Sequence, residues 1–155
     1  MTRRIALLVV LLLACPLAAA GDAKGTVAYK GRTLDVRHAY LVTTKDAMSG
    51  KPMRRVVLAP KDIGGKIASC AKMSCVDGDL DDGVELDFVD GPRLNYWLVM
   101  NGQKIQYSGT EPKESLAATA NDAKKVAGTV KFDSTAAGGP KVDVTFDAAF
   151  VKDLQ

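Results

Sequence analysis

Few residues in this chain have side chains and spacing suited to chemistry. His38 is the single histidine among 155 residues. A hydrolytic triad needs a base bonded to a positioned nucleophile, and no nucleophile-elbow pattern accompanies His38. Its place between Val36 and Tyr40 in an alternating run predicts a core imidazole satisfied by a hydrogen bond. No catalytic residue is therefore assigned. An enzyme using His38 with acids from neighbouring strands is the alternative.

Cys70 and Cys75 have C-x4-C spacing. A redox-active pair is more typically C-x-x-C, and zinc would need further ligands, of which only His38 offers a nitrogen. A structural disulfide is the expectation. Its short loop is worth about 2 kcal/mol in chain entropy. The run Asp77-Gly-Asp79-Leu-Asp81-Asp82-Gly83 has the D-x-D-x-D opening of a calcium loop. Asp82 then stands where glycine belongs, and Phe88 where the bidentate glutamate belongs. A solvated acidic turn is the plainer reading, with Asp77, Asp79 and Asp81 as ligands of a calcium-stabilised alternative. No cofactor is implied.

Trp97 is the sole tryptophan. The strand register that buries Tyr96 and Leu98 turns it outward beside Glu85, Asn95 and Gln106, with Asp87 and Ser108 on the same face. An indole among short polar groups serves as a stacking platform for a sugar, peptide or protein partner. A helix or loop covering that face would make Trp97 a core residue instead.

These residues follow an export signal. Arg3 and Arg4 precede the apolar run Ile5 to Ala14, and Ala18-Ala19-Ala20 supplies a small-residue cleavage site. The run is shorter than the roughly 20 residues of a membrane span, so no transmembrane helix is expected. Leu12-Leu13-Ala14-Cys15 also reads as a lipobox, which makes a lipid anchor at Cys15 the alternative to cleavage after Ala20. Without Arg3 and Arg4, 19 of the 21 basic residues remain against 18 acidic ones. A nearly neutral domain without a Lys/Arg run lacks the electrostatic footprint of a nucleic-acid binder. Residues 21–155 are enough for one domain, in the periplasm or secreted, where a cysteine pair oxidises.

Alternating segments and two-residue turns must position the chemistry. Lys30-Gly31 and Asn101-Gly102 sit between such segments, and both suit hairpin turns with positive φ. The first turn puts Val27, Tyr29, Leu34, Val36, His38, Tyr40 and Val42 on one face. The second pairs Leu98 with Ile105 and Trp97 with Gln106. A three-residue turn, Asp90-Gly91-Pro92, opposes Leu86 to Tyr96 and Val84 to Leu98. A short helix from Asp62 towards Met73 and a second meander over 116–150 complete an all-β reading. About eight antiparallel strands form a small barrel or sandwich with one short helix.

The stretch Asn101 to Gly109, with Gly128 and Val144 to Ala148, is similar to a group of small exported proteobacterial β-rich proteins of uncharacterised function. The resemblance implies an exported β-rich domain and carries over no catalytic residue. Together these readings predict a periplasmic binding or interaction module, without catalytic activity, for an envelope protein or small ligand.

Overall fold

A computed structural model describes residues 21–46, 49–88 and 91–154. The expected signal segment, with Cys15, lies outside the described residues. Nine strands form one sheet: β1 (Gly21–Tyr29), β2 (Arg32–Lys45), β3 (Pro52–Ala59), β4 (Gly83–Phe88), β5 (Arg93–Met100), β6 (Gln103–Pro112), β7 (Leu116–Asn121), β8 (Lys125–Asp133) and β9 (Lys141–Asp153). Two short helices, α1 (Gly64–Ser69) and α2 (Met73–Asp79), join β3 to β4.

The strand order β6-β5-β4-β3-β2-β1-β9-β8-β7 explains the shape. Antiparallel meanders β1–β6 and β7–β9 are joined where β1 pairs with β9. Strands β6 and β7 therefore sit at opposite edges, yet only the 3₁₀ turn Lys113–Ser115 separates them in the chain. A flat sheet of this width would span roughly 38 Å at the usual strand spacing, whereas a three-residue link reaches about 14 Å. The sheet has to curl into a half-barrel, and it does. The Tyr96 ring on β5 lies 4.7 Å from that of Phe132 on β8. Near them the Tyr96 hydroxyl donates to Ser134, which in turn donates to Glu111.

Apolar alternation fills the inside of the curl with Val27, Val36, Leu41, Val56, Leu86, Leu98, Val130 and Val144, among others. A second cluster, including Tyr40, Val42, Val57, Ile67, Val76 and Leu80, packs both helices onto the outer face. The β1–β2 hairpin has the expected two-residue turn, with Lys30 and Gly31 both at positive φ and Tyr29 opposite Arg32. The β4–β5 ladder also has the expected register, pairing Val84 with Leu98 and Leu86 with Tyr96.

Three details depart from the sequence reading. A bulge near Asp22 and Gly25 in the β1–β2 ladder marks a change in the phase of β2. Val36 and Leu41 consequently face the interior, while Tyr40 and Val42 face the helices. Around Asn101-Gly102, Met100 opposes Gln103, but the ladder then slips so that Leu98 opposes Tyr107 and Trp97 opposes Ser108. The extra β6 residues leave Ile105 exposed. The expected single helix breaks at Cys70 to Lys72 and resumes as α2, so part of the expected acidic loop is helical. Among the described residues no helix is long and apolar enough to cross a membrane.

Candidate functional site

Strand β4 carries the central conflict of the outer face. Its alternation sends Val84, Leu86 and Phe88 inward and Glu85 and Asp87 to the outer face, where both are buried. Glu85 is 4% exposed and Asp87 2%. Burying a carboxylate is costly unless it is paired and hydrogen-bonded. Arg55 on β3, directly opposite Asp87 in the ladder, supplies that pairing.

The guanidinium geometry is specific. Arg55 Nε and Nη2 donate to the two Asp87 oxygens, the latter bond 2.8 Å long. Arg55 Nη1 donates to Glu85 Oε2 at 2.8 Å and to Asp77 Oδ1 of α2 at 3.3 Å. The Arg55 guanidinium carbon also lies 4.9 Å from the centre of the Trp97 ring, a cation–π contact. A planar fork of donors suits this simultaneous bidentate and stacked role, which lysine cannot reproduce.

The electrostatics follow from burial. Desolvation opposes the charge on Arg55, but the Asp87 hydrogen bond and the surrounding carboxylates outweigh it and hold its pKa above the ordinary arginine value. Burial also raises Asp87, opposed by the bonds from Arg55. Glu85 is pushed up to about 8, chiefly by burial, with Arg55 opposing and Asp77 reinforcing the rise. Glu85 Oε1 is buried and accepts no hydrogen bond among the described residues.

Beside this network is a cleft of about 400 Å³, framed by α2, the outer sheet and the end of β2. Its volume falls in the range typical of small-molecule sites. Trp97, Met53 and Met73 give it apolar surface; Asn95 and Thr44 add hydrogen-bonding groups; Asp77, Asp87, Asp46, Arg55 and Lys45 provide charge. A second hollow of similar size, near Thr129 and Thr145, is more open and lacks a buried charged network along its lining.

Of the residues singled out in the sequence, Trp97 and Asn95 line this cleft, and Glu85 lies directly across the ladder from Trp97. Gln106 is not beside Trp97. The β6 slip puts Ser108 there, and Gln106 bonds instead to Gln103. Cys70 and Cys75 form a disulfide with Cα atoms 5.6 Å apart, joining the end of α1 to α2.

The three aspartates diverge. Asp77 bonds Arg55, and Asp79 lies near the disulfide sulfurs and Lys66. Asp81 belongs to no close ligand group among the described residues, where Cys70, Cys75 and Asp79 form the only such set. His38 is half-buried and stacks on Tyr40 at 6.5 Å, away from the residues lining the cleft. The Tyr40 hydroxyl donates to Asp62 and accepts from the Ile63 amide, pinning the start of α1.

Arg55, Met53 and Met73 were missed in the sequence. The missed signal is electrostatic: Glu85 and Asp87 share one face of a strand and require a cation on a neighbouring one. No family model, curated protein or solved structure matches the chain.

Proposed function

We propose that this chain is an exported, periplasmic binding module that takes a small ligand in the cleft beside Trp97. The observation that carries the reading is a ligand-sized cavity where an indole and two methionines adjoin a buried charge network. Pockets that combine apolar walls with a few fixed polar groups are the usual form of small-molecule sites. Arg55, held by three acidic side chains, gives this wall a fixed geometry before any ligand arrives. The disulfide on α2 agrees with an oxidising compartment. The resemblance to small exported proteobacterial proteins points the same way.

Trp97 is the sole tryptophan and lies at the cleft, so it reports on occupancy directly. Titrating the domain spanning residues 21–155 with amino acids, amines, sugars and dipeptides should give a saturable change in Trp97 emission for at least one class. Calorimetry on Asn95→Ala should then show weakened binding of that compound with the fold intact. Unchanged affinity in the variant would place the ligand elsewhere.

A further inference from the structure

Arg54 and Arg55 are neighbours on β3, and their side chains leave the strand on opposite faces. Arg55 meets three carboxylates on the outer face. Arg54 opposes Phe88 in the β3–β4 ladder, and its guanidinium carbon lies 5.8 Å from the centre of that ring. Its Nη1 donates to the Asp122 carbonyl, beside the β7–β8 turn, at 2.7 Å. A guanidinium carries five N–H donors in a planar fork. Among the described residues no carboxylate pairs with Arg54, and the Asp122 carbonyl is its one hydrogen-bond acceptor.

Arg54 borders a hollow of about 340 Å³ that Lys113, Phe88, Pro52, Thr43 and Ala123 also line. Phe88 closes β4, Pro52 opens β3, Lys113 follows β6, and Ala123 lies between β7 and β8, so the hollow sits at one end of the curl. Lys113 Nζ donates to the Gly91 carbonyl at 3.3 Å and likewise has no ion-pair partner among the described residues. Two cations and no acid therefore line this space. The neighbouring carboxylates are engaged elsewhere. That of Asp122 accepts the Lys124 and Lys125 amides, and that of Asp153 accepts the Thr43 hydroxyl.

We propose that this hollow binds an organic anion, its phosphate or carboxylate group between Arg54 and Lys113 and its apolar body against Phe88 and Pro52. The planar fork of Arg54 suits the paired oxygens of an oxyanion, and hydrogen bonds to a charged acceptor are the stronger kind. Lys113 adds a second positive charge from the opposite edge of the hollow. Met53 lines both this hollow and the Trp97 cleft, but the two differ in charge: three aspartates line the cleft and none lines the hollow. The anion site is thus separate from the Trp97 cleft and does not depend on it.

The test titrates the domain spanning residues 21–155 with phenyl phosphate, benzoate and the neutral benzyl alcohol, followed by nitrogen-15 spectra. Phenyl phosphate or benzoate should saturably shift the Arg54 Nε–H and the Lys113 and Ala123 amides, with the Trp97 indole N–H unmoved. The tighter of the two anions identifies the preferred head group, and high sodium chloride should weaken both. Arg54→Gln and Lys113→Ala should each weaken binding about tenfold or more. Lys113 is exposed and bonds one carbonyl, so its variant keeps the test decisive if Arg54→Gln fails to fold. Benzyl alcohol binding as tightly as the anions would reduce the hollow to an apolar dent and overturn the proposal. So would unchanged affinity in folded Lys113→Ala, no saturable shift with either anion, or shifts at Trp97 with Arg54 unmoved.

Discussion

Arg55 bonds both buried acids of β4 and stacks on Trp97. Removing one partner of a buried pair costs about 3–5 kcal/mol because the remaining charge is stranded. Arg55→Met should therefore lower the urea-derived stability by about that amount at neutral pH. Glu85 has the opposite lesson. Its folded pKa, near 8, is above the value of 4.5 in an exposed glutamate. The folded state then holds a proton that the unfolded state releases, so stability falls as pH rises from about 4.5 to 8 and levels beyond. Glu85→Gln should flatten that slope in melting temperature, and an unchanged slope would reject the assignment. At this scale Trp97, Glu85 and Asn95 were legible because two-residue alternation fixes which face each occupies. Arg55 was not. Two adjacent arginines, Arg54 and Arg55, point to opposite faces, and only the covering helix makes one of them structural. In the fold Arg54 instead reaches the Asp122 carbonyl at 2.7 Å.

Among the elements, α1 and α2 convert one polar sheet face into a site wall. Tyr40 anchors α1 through bonds of 2.7 Å to Asp62 and 2.9 Å from the Ile63 amide. Tyr40→Phe leaves the Ile63 N–H without its partner and should cost about 1–3 kcal/mol. Hydrogen exchange should accelerate at Ile63 and Gly64 before the sheet responds. The disulfide restrains α2 from its other side. Replacing both Cys70 and Cys75 with alanine should remove about 2 kcal/mol by loop-closure arithmetic, read as a lower melting temperature. Strands and their tight turns were readable from alternation and from Lys30-Gly31 and Asn101-Gly102. The ladder slips at β1–β2 and β5–β6 were not, since a bulge is set by neighbouring strands rather than by a local residue pattern. The slip in β6 is what moved Gln106 away from Trp97.

For the whole molecule, curvature is enforced by the three-residue link between two edge strands. Within the curled sheet Gly109 lies opposite Tyr96 in the β5–β6 ladder, and a side chain at that position would strike the Tyr96 side chain. Gly109→Ala should destabilise the fold by about 1–3 kcal/mol, the usual cost of overpacking, as measured by chemical denaturation. An all-β fold was readable from the number of alternating segments, but one curled sheet rather than two stacked ones was not. That choice depends on β1 meeting β9, a pairing between the two ends of the folded domain with no local signature. The same curl leaves β2 through β5 with an outer face for the helices, and hence the cleft. The measurement that tests this account most directly is a nitrogen-15 titration of the domain with the amine, amino-acid, sugar and dipeptide set. Saturable shifts of the Trp97 indole N–H together with the Asn95 and Met73 amides are the predicted result. Saturable shifts confined to the β6 and β7 edges, with the Trp97 indole unmoved, would contradict it.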